Sequence, residues 1–281
     1  MLAEVRAGLF AVQKKLPSKY LYDARGSDLL ERIRETPEYY LARTERAILA
    51  AWAPALARGT GARTLVHLGP TDETSADPLL AGMRGAHGEV TYLPVEPSNG
   101  VDSAGPLVLP GDLPGPLIVA LLGSAIGGLH SAAAVKLLRR VRAAMGPEDR
   151  LLLGADLRKD HGRLVAAYND RAGLTAEFNR NILNVVNAQL GSDFDPLAFA
   201  HRAFYNRTAR RVEMHLVSAE PQAVTVPGAG VVQLEAGETI RTAIACKYDR
   251  QAIHDLLGDA GFRLAEWRTD ANGDYAVALG E

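Results

Sequence analysis

Hydrophobic residues in the middle of the chain form short β-rich runs separated by helical stretches. The runs predict four strands, at residues 64–68, 90–95, 117–122 and 150–156. Between the last two runs, apolar positions recur at helical spacing over residues 131–145. Such alternation is typical of βαβ units and a mostly parallel sheet. Ligands bind outside the carboxyl ends of such strands, so we expect the chemistry in the segments that follow them.

The flanking segments follow other patterns. Residues 1–60 are predicted to be helical, with breaks before Pro17 and Pro37, because a residue that precedes proline is pushed out of the α region. Residues 161–190 are again helical. Apolar and polar residues then alternate in two antiparallel strands, a last helix follows, and a hairpin closes the fold. These elements are predicted at residues 211–217, 239–247, 249–260, 263–269 and 275–279.

Composition narrows the possible partners. The 281 residues are 47% hydrophobic and 23% charged, with a net charge of -2, which is typical of a soluble globular protein. No basic stripe is present to neutralise phosphates, so we expect a small-molecule substrate and no nucleic-acid partner. The most apolar stretch, residues 116–129, is interrupted by glycines and too short for a membrane span, so we expect no membrane partner.

Cysteine and histidine content bears on location and cofactor. The single cysteine, Cys246, cannot form an internal disulfide, and we read no signal peptide at the start of the sequence, so a cytoplasmic location is expected. The seven histidines show no metal-ligand spacing, so no metal cofactor is expected.

Seven short segments, in order along the chain, carry a family resemblance. They lie at residues 16–27, 37–40, 122–127, 153–160, 167–170, 178–181 and 246–248. Together they resemble the histidine-specific Nα-methyltransferase family of ergothioneine biosynthesis, which uses S-adenosylmethionine. The resemblance implies an α/β fold with a mostly parallel, Rossmann-like sheet of the class I methyltransferase type and a second, smaller α+β substrate domain. It implies that the amino acid binds between the two domains.

The same resemblance implies the extent of each domain. The methyltransferase-like domain is expected at residues 41–160 with 248–281, and the substrate domain at residues 1–40 with 161–247.

The cofactor positions depart from the family pattern. Where the family has an acid and a glycine-rich loop after the first strand, residues 67–75 keep only Gly69, and Ser75 replaces the family's lysine. If S-adenosylmethionine is used, the resemblance assigns Glu96 to the ribose and Asp112 to the adenine. The connection between these two acids is shorter than in the family, which predicts a reduced element on that side of the sheet.

The substrate positions depart as well. Gly128 replaces the asparagine that binds the substrate backbone in the family, and Ala243 and Ala245 align with the glutamate and serine that hold the imidazole. A buried imidazole without hydrogen-bond partners is unfavourable, so histidine is not the expected substrate. Three tyrosines remain at family positions and are candidates to orient an amine or a carboxylate: Tyr22, Tyr39 and Tyr168.

Four further polar residues are candidates. His67 ends the first strand, either as a buried structural residue or as a proton carrier. Glu213 and His215 point the same way on a strand, so that one of them is a candidate to face the substrate. Asn179 is a candidate for substrate binding or for hydrogen bonding at the domain interface.

Three hypotheses remain open. The first, which we rank highest, is an enzyme of specialised metabolism that orients the amine of an amino-acid-derived molecule for intramolecular displacement or ring closure, without S-adenosylmethionine. The second is an S-adenosylmethionine-dependent N-methyltransferase of an amino acid other than histidine. The third is a non-catalytic member that completes a partner protein subunit, with residues 97–110 as the surface that the partner covers.

Overall fold

The computed structural model describes residues 1–69, 75–95 and 106–281. The chain divides into two compact units. Unit 1 contains Met1–Tyr40 and Lys159–Ala245, and unit 2 contains Leu41–Arg158 and Cys246–Glu281. The last two boundaries lie two residues before the positions expected from the sequence.

Helices and strands are numbered in chain order through both units. The helices are α1 (Leu2–Leu9), α2 (Ala24–Arg34), α3 (Leu41–Thr60), α4 (Asp77–His87), α5 (Ser131–Ala143), α6 (His161–Ala166), α7 (Leu174–Leu190) and α8 (Arg250–Asp259). The strands are β1 (Thr64–Leu68), β2 (Thr91–Val95), β3 (Leu117–Leu121), β4 (Arg150–Asp156), β5 (Phe199–Asn206), β6 (Arg211–Ser218), β7 (Gln222–Val226), β8 (Gly230–Leu234), β9 (Thr239–Cys246), β10 (Leu264–Thr269) and β11 (Tyr275–Gly280). Short 3-10 helices lie at Ser18–Leu21, Ala125–Gly128 and Pro196–Ala198.

Unit 2 is built on a mixed sheet with the strand order β10-β11-β4-β3-β1-β2. Strands β2, β1, β3 and β4 are parallel, and β11 pairs antiparallel with both β4 and β10. Every residue of β1 and of β3 is buried, because central strands of a parallel sheet are covered on both faces. Helices α5 and α8 join the strands in one hydrophobic cluster. The α/β Rossmann-like fold predicted from the sequence is therefore confirmed.

The order of the parallel strands identifies where this sheet can bind a ligand. From β1 the chain continues to β2 on one side and then to β3 on the other, so the direction of winding reverses between β1 and β3. A crevice forms at the carboxyl ends of the strands at such a switch point. Among the described residues, β2 is the edge strand, and residues 106–116 contribute no strand beyond it.

Unit 1 has a three-stranded antiparallel sheet, in the order β5-β6-β9, and the hairpin β7-β8. Helix α7 packs on its core through Phe178, Ile182 and Val186, which recur every four residues along one helix face. The single helical stretch predicted over residues 161–190 is divided into α6 and α7. The Asp170 side chain accepts hydrogen bonds from the first N–H groups of α7, and thereby starts a new helix.

No helix in the described ranges is long and apolar enough to cross a membrane.

Candidate active site

The carboxyl ends of β1 and β3 each lead into a glycine. Gly69 follows β1 and donates its N–H to the Val95 carbonyl (3.1 Å), and Gly123 follows the residue after β3 with a φ of +67°. A Cβ atom on Gly123 would meet no described atom within 4 Å, and one on Gly69 would meet only Nε2 of His67, at 3.7 Å. As far as the described residues go, neither strand end at the switch point therefore blocks the approach of a ligand to the backbone.

A buried acid holds the loop after β3, and the sequence analysis missed it. Glu45 on α3 is 1% exposed, and its two carboxylate oxygens accept the N–H of Gly123 at 3.0 and 2.9 Å. The Tyr275 hydroxyl donates to the same carboxylate at 2.7 Å. The available signal was its position, because Glu45 falls on the apolar stripe of α3 between Leu41 and Ile48.

A buried ion pair lies at the carboxyl end of β4. The Lys247 ammonium lies 2.6 Å from the Asp156 carboxylate, and both side chains are 0% exposed. The backbone N–H of Asp156 also donates to the Ser124 hydroxyl at 3.1 Å. Asp156 and Lys247 belong to the segments that carry the family resemblance, but their pairing was not predicted.

His67 is buried in the sheet, with 3% of the residue exposed. Its Nδ1 lies 3.2 Å from the hydroxyl of Tyr92, across the pair of strands β1 and β2. This contact fits a structural residue, and its role as a proton carrier stays a prediction.

One of the other predicted residues of unit 2 is described near the carboxyl end of β3. Gly128 ends the 3-10 helix Ala125–Gly128, on the carboxyl side of β3, with open space at its Cα. Glu96 lies outside the described residues, as do residues 70–74 of the predicted cofactor loop.

The predicted contact of Asp112 with the cofactor stays a prediction, and the described structure gives the position of this residue. Asp112 is exposed in a turn before β3, where the Pro114 carbonyl accepts a hydrogen bond from Thr64, the first residue of β1. That position is the amino edge of the sheet, one strand length from Gly69, and five residues of strand span roughly 16 Å.

In unit 1 the three predicted tyrosines and one alanine border the same hydrophobic cluster. Tyr39, Tyr168 and Ala243 are partly buried against it. The ring of Tyr22, which is 51% exposed, packs edge-on to Phe178 of that cluster at a centroid distance of 5.7 Å. A tyrosine whose ring is packed against apolar groups combines a fixed ring with a polar hydroxyl, which suits it to orient a polar group. Ala245 is half-buried near the end of β9.

Asn179 makes hydrogen bonds to protein groups of unit 1, and its contact with a substrate stays a prediction. It is 0% exposed, and its Nδ2 donates to Nδ1 of His201 (2.9 Å) and to the His215 carbonyl (3.1 Å). Its Oδ1 accepts the Thr242 hydroxyl. The Nε2 of His201 in turn donates to the Tyr168 carbonyl at 2.9 Å, so Asn179 acts on the predicted site only through the support of Tyr168.

Glu213 likewise has hydrogen-bond partners within unit 1, and its contact with a substrate stays a prediction. It is 4% exposed and accepts hydrogen bonds from Arg211, Asn206 and His215 at 2.9 to 3.0 Å. Burial by itself would raise the pKa of this carboxyl, but the hydrogen bonds from His215 and Arg211 outweigh it and lower the pKa to about 2. Burial lowers the pKa of His215, despite the carboxylate beside it.

Within the described parts of the chain, no group of three or more histidine, cysteine, aspartate or glutamate side chains is arranged to hold a metal ion.

Comparison with known protein families identifies the family to which the sequence is similar. A family model described as histidine-specific methyltransferase, SAM-dependent, matches residues 1–101 and 108–281.

Three relatives are informative. The histidine N-alpha-methyltransferase of Mycolicibacterium smegmatis is 39% identical over 298 aligned positions, which cover 98% of this chain and 93% of the relative. The protein of the same name from Mycobacterium tuberculosis is 36% identical with the same coverage. The N-methyltransferase imqF of Aspergillus flavus is 23% identical, over 97% of this chain and 82% of the relative.

Proposed function

The chain belongs to the family of histidine-specific, S-adenosylmethionine-dependent methyltransferases, and from that premise we propose that it methylates the α-amino group of an amino acid whose side chain is larger or less polar than imidazole. S-adenosylmethionine supplies an electrophilic methyl group on a sulfonium sulfur. The residues of this chain would hold the neutral amine in line with that methyl carbon, and the methyl group would pass to nitrogen with release of S-adenosylhomocysteine and a proton. Catalysis of such a step requires in-line positioning of the amine more than it requires reactive side chains.

This proposal reverses the ranking made from the sequence. Chemistry without S-adenosylmethionine, by displacement or ring closure, was ranked first because the glycine-rich loop and the imidazole-binding pair are both replaced. The matched family is S-adenosylmethionine-dependent, and nothing in the comparisons favours displacement or ring closure. A partner subunit stays an untested prediction.

The described residues of unit 2 fit a nucleoside-containing cofactor. Gly69 and Gly123 leave their backbone open at the two strand ends that flank the switch point. Glycine allows a ligand to approach the main chain closely, and the carboxyl edge is where sheets of this topology bind ligands. Glu96 stays the predicted partner of the ribose.

The tyrosines of unit 1 are the proposed partners of the amine and carboxylate groups. Tyr39 and Tyr168 are partly buried, so their rings are held by packing. The network through His201 holds the backbone of Tyr168. A phenol hydroxyl can accept a hydrogen bond from the substrate amine and thereby direct its lone pair.

One observation carries the choice of substrate: Ala243 borders the same hydrophobic cluster as Tyr39 and Tyr168. At this position and at Ala245, the family residues that hold the imidazole are polar, whereas alanine offers no hydrogen bond. Leaving a buried polar group of the substrate without a partner costs about 1–3 kcal/mol. We therefore propose that an apolar or aromatic amino acid is preferred to histidine.

Direct assays test this function. The purified protein is titrated calorimetrically with S-adenosylhomocysteine and S-adenosylmethionine, and each common amino acid is then incubated with S-adenosylmethionine and analysed by mass spectrometry. We expect micromolar binding and a mono-, di- or trimethylated product from an apolar or aromatic amino acid. Absence of binding at millimolar ligand would refute the methyltransferase proposal. Faster turnover of histidine than of any other amino acid would refute the substrate proposal.

Restoring the polar pair tests the substrate argument from the other side. The double variant Ala243→Glu, Ala245→Ser should raise kcat/KM for histidine by roughly 10- to 100-fold, since each new hydrogen bond contributes about 1 kcal/mol or more. The matched control makes the same changes at exposed alanines of unit 1, Ala209→Glu with Ala219→Ser, and should leave kcat/KM unchanged. An equal effect of both double variants would contradict the assignment.

A further inference from the structure

The loop after β3 is attached to the rest of unit 2 by a buried carboxylate. Both oxygens of Glu45 accept the N–H of Gly123, at 3.0 and 2.9 Å, and Oε1 also accepts the Tyr275 hydroxyl at 2.7 Å. These contacts join α3, the loop and β11 through Glu45, which is 1% exposed. Hydrogen bonds to a charged acceptor are about twice as strong as those between neutral groups.

The neighbouring strand is shaped to admit this carboxylate. Gly154 lies in the middle of β4, and a Cβ atom at that position would lie 2.0 Å from Oε1 of Glu45 and 2.7 Å from the Tyr275 hydroxyl. Any side chain there would displace both groups. The sequence thus combines a glycine inside a strand, where glycine is unfavourable, with an acid inside an apolar helix stripe.

The loop itself adopts a conformation that needs support. Gly123 and Ser124 are consecutive residues in the left-handed region, with φ of +67° and +54°. A left-handed conformation is unfavourable for a serine, so it persists only where surrounding bonds fix it. Two sets of bonds do so: the Glu45 carboxylate holds the N–H of Gly123, and the Ser124 hydroxyl accepts the N–H of Asp156 at 3.1 Å.

We propose that Glu45, together with Tyr275, is a positioning residue for methyl transfer. Its carboxylate fixes the loop at residues 122–128 in the one conformation that leaves the Gly123 backbone open to the cofactor and places Gly128 on the carboxyl side of the sheet. The role in methyl transfer rests on the proposed function. The attachment of the loop can be measured without any ligand.

Local hydrogen exchange and ligand binding test the inference together. In Glu45→Gln an amide replaces the carboxylate, so a donor takes the place of one acceptor oxygen and the charge is lost. We expect amide exchange in residues 122–128 to accelerate about tenfold or more, while β3 itself is unchanged, and the Kd for S-adenosylhomocysteine to rise about tenfold. Tyr275→Phe keeps the bonds to Gly123 and should give about a two- to fivefold effect on both measurements. Glu148→Gln, an exposed acid in the same unit, is the matched control and should change neither.

Several outcomes would overturn the proposal. The first is a Glu45→Gln variant whose amide exchange rates and Kd stay within twofold of those of the unsubstituted protein. The second is an equal acceleration of exchange in β1, β3 and β4, because this would indicate that the whole unit has become less stable. If Glu45→Gln does not fold, Tyr275→Phe decides by the same criteria. If the unsubstituted protein does not bind S-adenosylhomocysteine, the proposed function fails, while the exchange comparison still decides whether Glu45 holds the loop.

Discussion

The two units use their buried polar groups differently. In unit 1, Glu213 and Asn179 bond mostly to other side chains, and their partners come from the three-stranded sheet and its flanking segments. In unit 2, Glu45 bonds to the main chain of a loop at the carboxyl edge, and the Ser124 hydroxyl accepts a main-chain N–H from Asp156. The first arrangement holds a sheet together, whereas the second sets the shape of a binding edge. The groups to which a buried acid bonds therefore show more clearly than its burial whether it stabilises a sheet or shapes a binding site.

The largest expected effect concerns the buried ion pair of unit 2, and it tests whether this unit also depends on buried charges for its stability. Lys247→Met removes the ammonium that lies 2.6 Å from the Asp156 carboxylate in a fully buried pair. Loss of one partner of a buried ion pair costs about 3–5 kcal/mol, because the remaining charge stays buried without the attraction that offset its desolvation. We expect the free energy of unfolding, measured by urea denaturation, to fall by about that amount.

The control for this prediction is an exposed lysine of the same unit. Lys136→Met should change the free energy of unfolding by less than about 0.5 kcal/mol. A loss below about 1 kcal/mol in Lys247→Met would mean that the ion pair does not support unit 2.

An intermediate effect concerns the acid stability of unit 1. The folded-state pKa of Glu213, about 2, lies below its ordinary value of 4.5. The folded form thus binds the proton more weakly than the unfolded chain, so this stabilisation is fully present above about pH 4.5 and is lost as the pH falls toward 2. The full difference corresponds to about 3 kcal/mol. His215 acts in the same direction at higher pH, because burial lowers its pKa below 6.5 and opposes protonation of the folded form.

Urea denaturation between pH 7 and pH 3 measures this dependence. Glu213→Gln should be less stable at pH 7 and should lose less stability between pH 4.5 and 3 than the unsubstituted protein. The exposed acid Glu220 provides the control, and Glu220→Gln should follow the unsubstituted curve. Parallel curves for Glu213→Gln and the unsubstituted protein would contradict the assignment.

The smallest expected effect concerns the tyrosines at the margin of the hydrophobic cluster. Tyr39→Phe and Tyr168→Phe keep the packed ring and remove only the hydroxyl, so stability should change by less than about 1 kcal/mol. If these hydroxyls orient the substrate, KM for the amino acid should rise about 2- to 10-fold in each variant. Tyr205→Phe, which alters a tyrosine stacked on His161 in the same unit, is the control. A loss of stability without a change in kinetics would make the tyrosines part of the framework.

Much of the fold was accessible from the sequence because hydrophobic periodicity reports burial directly. The limits of β1 and β4 agree with the predicted runs at residues 64–68 and 150–156, because apolar residues make up the middle of each run. The division between α6 and α7 was missed, because the Asp170 side chain starts the second helix without interrupting the helical composition.

The site was less accessible, because polar residues carry no periodic signal that separates partners from ligands. Asn179 and Glu213 were candidates to face the substrate. Asn179 is held by Thr242 from a distant strand, whereas Glu213 is held by Arg211 and His215 of its own strand. Asp112 matched a family motif, but its position depends on the length of a connection. Glu45 and Gly154 make sense only as a pair, and residues 109 positions apart in sequence show their relation only in the fold.

The strand order of unit 2 also constrains how the protein can assemble during synthesis. Strand β11 lies between β4 and β10, and its first residue supplies the hydroxyl that completes the Glu45 contacts. The ribosome makes β11 only after the whole of unit 1. During synthesis, β4 therefore lacks its β11 partner until more than a hundred further residues have emerged. Such late, sequence-distant pairing slows folding and exposes the intermediate to aggregation. We therefore expect the binding edge to be the last part of the molecule to form, and chaperone capacity to limit its yield when expression is rapid.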